Sequence, residues 1–178
     1  MPDPLHDFFL AAAGAAGALI GLLFVAISVA PERLLGDDAP QANRIRALSA
    51  LTAFTNALSV SLFALIEGID VGWTAVVVAL IGLHFVLGSL LSLLNRTRRG
   101  PGALRDGTFL VGLVVVFLLQ LYFGIRMIAD DQPVDAVRGL AVLVVVCFLI
   151  AISRSWELIG GPSVSLRGEL VTLLRRRR

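Results

Sequence analysis

The apolar residues of this chain fall into five separate blocks, and each block is long enough for a helix to cross a lipid bilayer. A hydrocarbon core about 30 Å thick requires about 20 helical residues at about 1.5 Å per residue. Of the 178 residues, 57% are hydrophobic and 16% are charged, which is too apolar for the surface of a soluble fold. We therefore expect an all-α integral membrane protein with one five-helix transmembrane domain over residues 1–158. Its spans are 8–30, 48–68, 71–94, 107–129 and 134–158.

The first block is interpreted as a transmembrane helix that is kept in the mature protein. A cleaved signal peptide begins with positive charge, whereas this chain carries Asp3 and Asp7 there. The apolar run is also longer than that of a signal peptide, and Pro31 directly follows the one plausible cleavage site at residues 28–30. The chain thus has five predicted spans.

Arginine placement predicts the orientation of these spans. All fifteen basic residues are arginines, and if the blocks alternate in direction, thirteen lie on one side and only Arg126 and Arg138 on the other. Positive residues in short loops are retained in the cytoplasm. We therefore expect the amino terminus outside and the carboxyl terminus inside, in a bacterial-type inner membrane.

Residues 159–178 form a predicted cytoplasmic tail that is rich in arginine. Leucines at 166, 170, 173 and 174 favour a short amphipathic helix on the inner membrane face. The terminal Arg175, Arg176, Arg177 and Arg178 are expected to bind anionic lipid headgroups, at about 1 kcal/mol each near the surface. So short a basic tail does not favour nucleic-acid binding.

The inner end of the fifth block carries a charged pair beside an aromatic residue. Arg154 and Glu157 are three residues apart, a spacing at which they can pair on a helix surface. Trp156 fits the aromatic belt at the level of the lipid headgroups. We interpret this segment as a membrane anchor.

Small residues mark one face of the first block. Asp7, Gly14, Gly21 and Ser28 recur every seven residues, and Gly17 lies on the same side. Because small residues let helix backbones approach closely in lipid, this face predicts a helix contact. The pattern leaves open whether the contacting helix belongs to the same chain or to another subunit.

The second block carries a stripe of polar side chains. At 100° per residue, its polar groups fall within an arc of about 80°; they belong to Ser49, Thr52, Asn56, Ser59 and Glu67. Lipid offers them no hydrogen bonds, so this face must meet protein or water. One interpretation is a hydrated path with Glu67 at its outer end. The other is a dry face on which the hydroxyls bond to their own helix and Asn56 bonds to a neighbouring helix.

The third block places His84 near the middle of the membrane, where a charged imidazole is costly. Gln120 of the fourth block and Asn56 lie within about two turns of that level, so a hydrogen-bonded layer can join them to His84. His84 is open to interpretation as a paired core histidine, a step in a proton or ion pathway, or a metal or haem ligand. The last is disfavoured because the other histidine, His6, lies roughly 17 Å away in depth.

The sequence contains no pattern typical of an enzyme. It lacks metalloprotease and paired-cysteine motifs and a glycine-rich phosphate loop, and its one cysteine, Cys147, reads as a small core residue. We expect no catalytic residues, no metal and no cofactor.

Our leading hypothesis is a small homo-oligomeric channel that passes ions or a small solute along the polar face of the second block. It rests on the polar stripe, on the acidic outer loops and on the little room that five short helices leave for a pore within one subunit. The alternative is an accessory or scaffolding subunit that binds a partner membrane protein through the first block or the basic tail.

Overall fold

The computed structural model describes residues 3–36, 40–94, 101–129 and 134–160. This part of the chain is helical without strands, and five of its six helices are long and apolar enough to cross a membrane. The expected all-α class is thereby confirmed, and the five apolar helices support the expected multi-pass membrane class. The helices are α1 (Asp3–Val29), α2 (Pro31–Leu35), α3 (Gln41–Leu65), α4 (Val71–Leu94), α5 (Pro101–Ala129) and α6 (Val134–Ile159).

Three helices begin before the apolar blocks that predicted them. α1 begins at Asp3, α3 at Gln41 and α5 at Pro101, so each contains charged residues in its first turns beyond the apolar run. α3 also ends earlier than expected, at Leu65, and Gly68 follows in the left-handed region with φ of +78°. Glu67 therefore lies beyond the helix, in the turn that leads to α4.

α2 is a short helix that the sequence did not predict. Pro31 occupies its first position, where a missing N–H group costs nothing because the first N–H groups of a helix have no partner within it. The turn before α4 is fixed by a side chain: Asp70 Oδ1 accepts hydrogen bonds from the backbone N–H groups of Gly72 at 2.8 Å and Trp73 at 3.3 Å. These local caps set where the long helices begin.

α3 is the central helix of the bundle. It packs against α1, α4, α5 and α6, whereas α1 packs mainly on α3 and α6, and α4 mainly on α5 and α3. The contact face of α3 is rich in small residues, with Ala50, Ala53 and Ala57 all fully buried. Lipid is as apolar as a leucine side chain, so close packing of small residues is what holds such helices together.

The interior among α3, α5 and α6 is filled by large apolar side chains. Phe54, Leu113, Phe117, Leu140 and Val144 are each at most 1% exposed. At the edge of the bundle, Gly124 lets α5 approach α4, since a Cβ atom added there would lie 2.9 Å from Val76 Cγ2. We call the end of the bundle at which α3 and α5 begin and α6 ends the basal end.

Candidate functional site

The predicted polar stripe of α3 is divided among three environments. Ser49 is buried, and its hydroxyl donates a hydrogen bond to the carbonyl of Ile45 at 2.7 Å. Thr52, Asn56 and Ser59 line a groove on the side of the bundle. Glu67 is exposed beyond the end of α3. The five residues therefore do not form one continuous face.

Asn56 lies at the centre of a hydrogen-bonded contact that joins four helices. Its Nδ2 donates to Gln120 Oε1 of α5 at 2.8 Å and to Cys147 Sγ of α6 at 3.3 Å. Gln120 Nε2 in turn donates to the carbonyl oxygen of Ala75 in α4 at 3.1 Å. We call these four residues the central polar contact; Asn56, Gln120 and Cys147 are all buried.

One acceptor of the central polar contact has no partner. Asn56 Oδ1 is buried, and among the described residues it receives no hydrogen bond. A buried amide oxygen without a donor costs about 1–3 kcal/mol, so the contact is incomplete as it stands. Asn56 is also among the residues that line the groove.

The structure does not bring His84 into this layer. Its side chain is exposed on the outer side of α4, and its ring contacts that of Phe85, with centroids 5.8 Å apart. The hydrogen-bonded layer therefore joins Asn56 to Gln120 and Cys147, and His84 stands apart from it. Sequence reasoning placed Gln120 and Asn56 at one depth, but it did not predict that Cys147 accepts a hydrogen bond.

The groove between α3 and α4 has a volume of about 300 Å³ and is open to the side of the bundle. We call it the α3–α4 groove. Most of its lining is apolar; the residues are Leu48, Leu51, Thr52, Thr55, Asn56, Ser59, Val78, Ile81, Gly82, Phe85 and Phe117. The polar members all come from α3, and Thr55 is one that the predicted stripe missed.

The hydroxyls in the α3–α4 groove differ from those of Ser28, Ser89 and Ser153; the buried Ser61 hydroxyl of α3, outside the groove, also has no partner among the described residues. Ser28, Ser89 and Ser153 are exposed, and each donates to the carbonyl four residues earlier in its own helix. Thr52, Thr55 and Ser59 have no such bond, nor any other to a residue that the structure describes. These three groups are therefore available to a molecule that enters the groove.

The glycine face of α1 has no contact within the described bundle. Gly14, Gly17 and Gly21 are all exposed, and a Cβ atom added to any of them would meet no atom within 4 Å. α1 instead turns Phe9, Ala12 and other apolar residues towards the bundle. The predicted amphipathic helix and Arg175–Arg178 lie outside the described residues.

The basal end contains a buried group of charged residues that sequence reasoning did not assemble. Arg154 of α6 donates from Nη2 to Asp106 Oδ1 and from Nη1 to Glu157 Oε2, both at 2.7 Å. Arg105 pairs with Glu157, and Arg46 Nε lies 3.4 Å from Asp106 Oδ1 and 3.7 Å from Glu157 Oε2. We call these five residues the basal ionic cluster.

Burial distinguishes the basal ionic cluster from an ordinary surface ion pair. The side chain of Arg154 is 0% exposed and that of Asp106 is 3% exposed. The guanidinium of Arg154 also lies 4.7 Å from the centre of the Phe109 ring, at a distance where the cation is attracted to the aromatic face. The predicted Arg154–Glu157 pair thus exists, but it is inside the bundle rather than on the helix surface.

Comparison of this chain with protein-family models, with curated proteins and with solved structures found no match.

Proposed function

We propose that this membrane protein forms a homo-oligomer that passes ions or a small polar solute along the α3–α4 groove. The groove opens to the side of the described bundle, so a second subunit has to supply the opposite wall of such a path. In this proposal the basal end faces the cytoplasm, because spans that alternate in direction would assign thirteen of the fifteen arginines to that side.

The observation that carries the proposal is the set of free hydroxyls in the groove. Thr52, Thr55 and Ser59 line it without a hydrogen bond to any residue described, and the adjacent Asn56 Oδ1 also lacks a donor. Unsatisfied polar groups are unfavourable in contact with lipid tails, whereas water or a hydrated solute satisfies them. The packed interior supports a path between subunits, because Phe54 and Leu113 fill the space among α3, α5 and α6 and are each at most 1% exposed.

The test is a flux measurement on purified protein in proteoliposomes. The triple variant Thr52→Val, Thr55→Val, Ser59→Ala removes the hydroxyls and keeps the side-chain volumes nearly constant. We expect it to lower the flux of monovalent ions or of a small polar solute by about tenfold or more, since each lost polar contact raises the barrier by about 1 kcal/mol.

A matched control is the double variant Ser89→Ala, Ser153→Ala. These hydroxyls are also exposed in the spans, but each is already bonded to its own helix at 3.0 Å or 2.7 Å, so the flux is expected to stay unchanged. Equal flux for wild type and triple variant, or no flux for wild type, would contradict the channel proposal.

A second candidate function is that of an accessory subunit that holds a partner membrane protein. The uncovered glycine face of α1 favours it, because Gly14, Gly17 and Gly21 present a surface on which another helix can pack closely. A photo-crosslinking residue at position 17 is expected to yield a covalent adduct in native membranes. The control position is Val115, which is exposed on α5.

The mass of the adduct separates the two candidates. An adduct of the chain with itself supports the homo-oligomer, and an adduct with a different membrane protein supports the accessory subunit. Equal, low yields at positions 17 and 115 would exclude the glycine face of α1 as a stable contact.

A further inference from the structure

We propose that the basal ionic cluster binds a phosphate group, either the phosphodiester of an anionic lipid or a free phosphate ion. Neither proposed function involves this cluster. Its five side chains come from the basal ends of α3, α5 and α6, so the site exists only when these three helices are packed together.

Charge balance is the first reason. Among the described residues, the cluster contains three guanidinium groups and two carboxylates, so it carries one net positive charge. An anion beside the partly exposed arginines offsets this charge and stabilises the cluster. The first turns of α3 and α5 also direct the positive ends of their helix dipoles towards this end.

Weak pairing of one of the arginines is the second reason. The two carboxylates are already bonded to Arg154 at 2.7 Å, whereas Arg46 reaches Asp106 only through Nε and at 3.4 Å. Arg46 is therefore the most weakly paired of the three arginines.

The position of the partly exposed arginines indicates the class of ligand. The side chains of Arg46 and Arg105 are 22% and 39% exposed, so an anion at the basal surface can contact both while Arg154 stays enclosed. Guanidinium groups bind phosphate oxygens in a two-point geometry that a point charge does not offer. If the basal end is cytoplasmic, it lies at the leaflet that carries anionic phospholipids.

The test measures lipid and phosphate binding by the full chain. Protein is reconstituted in nanodiscs of phosphatidylcholine, with or without phosphatidylglycerol, and the retained lipids are counted by native mass spectrometry. Wild type is expected to retain one phosphatidylglycerol in preference to phosphatidylcholine. Arg46→Gln is expected to weaken that retention about tenfold, the effect of losing one charge-assisted contact.

Arg138→Gln is the matched control. It removes one exposed positive charge from the start of α6, at the opposite end from the cluster, so it is expected to leave the retained lipid unchanged. If Arg46→Gln does not fold, Arg105→Gln replaces it, because Glu157 then keeps its bond from Arg154 at 2.7 Å.

Inorganic phosphate distinguishes the two sources of the ligand. Phosphate is added to the protein in phosphatidylcholine nanodiscs. If it raises the melting temperature of wild type but not of Arg46→Gln, the ligand is free phosphate. A preference for phosphatidylglycerol that Arg46→Gln removes identifies the lipid. The proposal is overturned if wild type and the cluster variants respond alike to both compounds.

Discussion

The basal ionic cluster gives a quantitative test of the packing of α3, α5 and α6. Arg154→Met removes a fully buried guanidinium and retains an unbranched side chain against the Phe109 ring. Asp106, 3% exposed, then loses its 2.7 Å partner and keeps only Arg46 at 3.4 Å. Leaving a buried charge without its partner costs about 3–5 kcal/mol. Because Arg46 compensates in part, we expect the free energy of unfolding to fall by about 3 kcal/mol.

The assay is reversible unfolding by sodium dodecyl sulfate in mixed micelles, followed by circular dichroism. Arg138→Met is the control, since Arg138 is 68% exposed and pairs only locally with Asp135 at 3.3 Å. An exposed pair of this kind contributes about 1 kcal/mol or less.

A double variant, Arg154→Met with Asp106→Leu, tests whether the loss comes from the unpaired carboxylate. Replacing both charges by apolar groups is often nearly neutral, so most of the stability is expected to return. If Arg154→Met costs no more than Arg138→Met, the buried placement of the cluster is refuted. A double variant as unstable as the single one would refute the assignment of the loss to Asp106.

Two further comparisons test the packing within the spans by the same unfolding assay. Gly124→Ala is expected to destabilise the protein by about 1–3 kcal/mol, because its Cβ atom would lie 2.9 Å from Val76 Cγ2. Gly17→Ala is expected to leave stability unchanged, because no atom lies within 4 Å of the added Cβ atom. Equal effects of the two changes would contradict the assignment of packed and open glycines. Gln120→Leu is expected to cost about 1–3 kcal/mol, since it removes the bond to the carbonyl of Ala75 and leaves Asn56 Nδ2 with only the weaker Cys147 Sγ acceptor at 3.3 Å. His84→Leu, at an exposed position, is expected to cost less than about 1 kcal/mol. A larger loss from His84→Leu than from Gln120→Leu would show that His84 belongs to the interior.

The membrane class of the protein could be predicted from the sequence because it depends on one quantity, the length of the apolar blocks. Any apolar block of about 20 residues meets the thickness of the bilayer, and no knowledge of neighbouring helices is needed to recognise it. The bounds of α3 were less predictable. Its first turns are polar and helical, and it ends at Leu65 before Gly68, so hydropathy placed both ends too far along the chain.

The candidate site depended on contacts between distant parts of the chain, which periodicity does not give. Three-residue spacing predicted that Arg154 meets Glu157, but Asp106 lies 48 residues from Arg154 and carries no local signal of that pairing. The stripe on α3 was treated as one face, although Ser49 points into the core and Thr55, outside the predicted stripe, lines the groove. Which part of a face meets a neighbour depends on how the helices cross.

The order of the helices along the chain gives the basal ionic cluster a consequence for biogenesis. Asp106 enters the membrane region with α5, whereas its buried partner Arg154 arrives only with α6, the last of the five long helices. Until α6 has inserted, the Asp106 carboxylate lacks the partner that offsets its burial, so the basal ends of α3 and α5 cannot reach their final packing. Completion of this contact therefore requires that α3, α5 and α6 have all been inserted. A chain that stops after α5 leaves Asp106 without its buried partner.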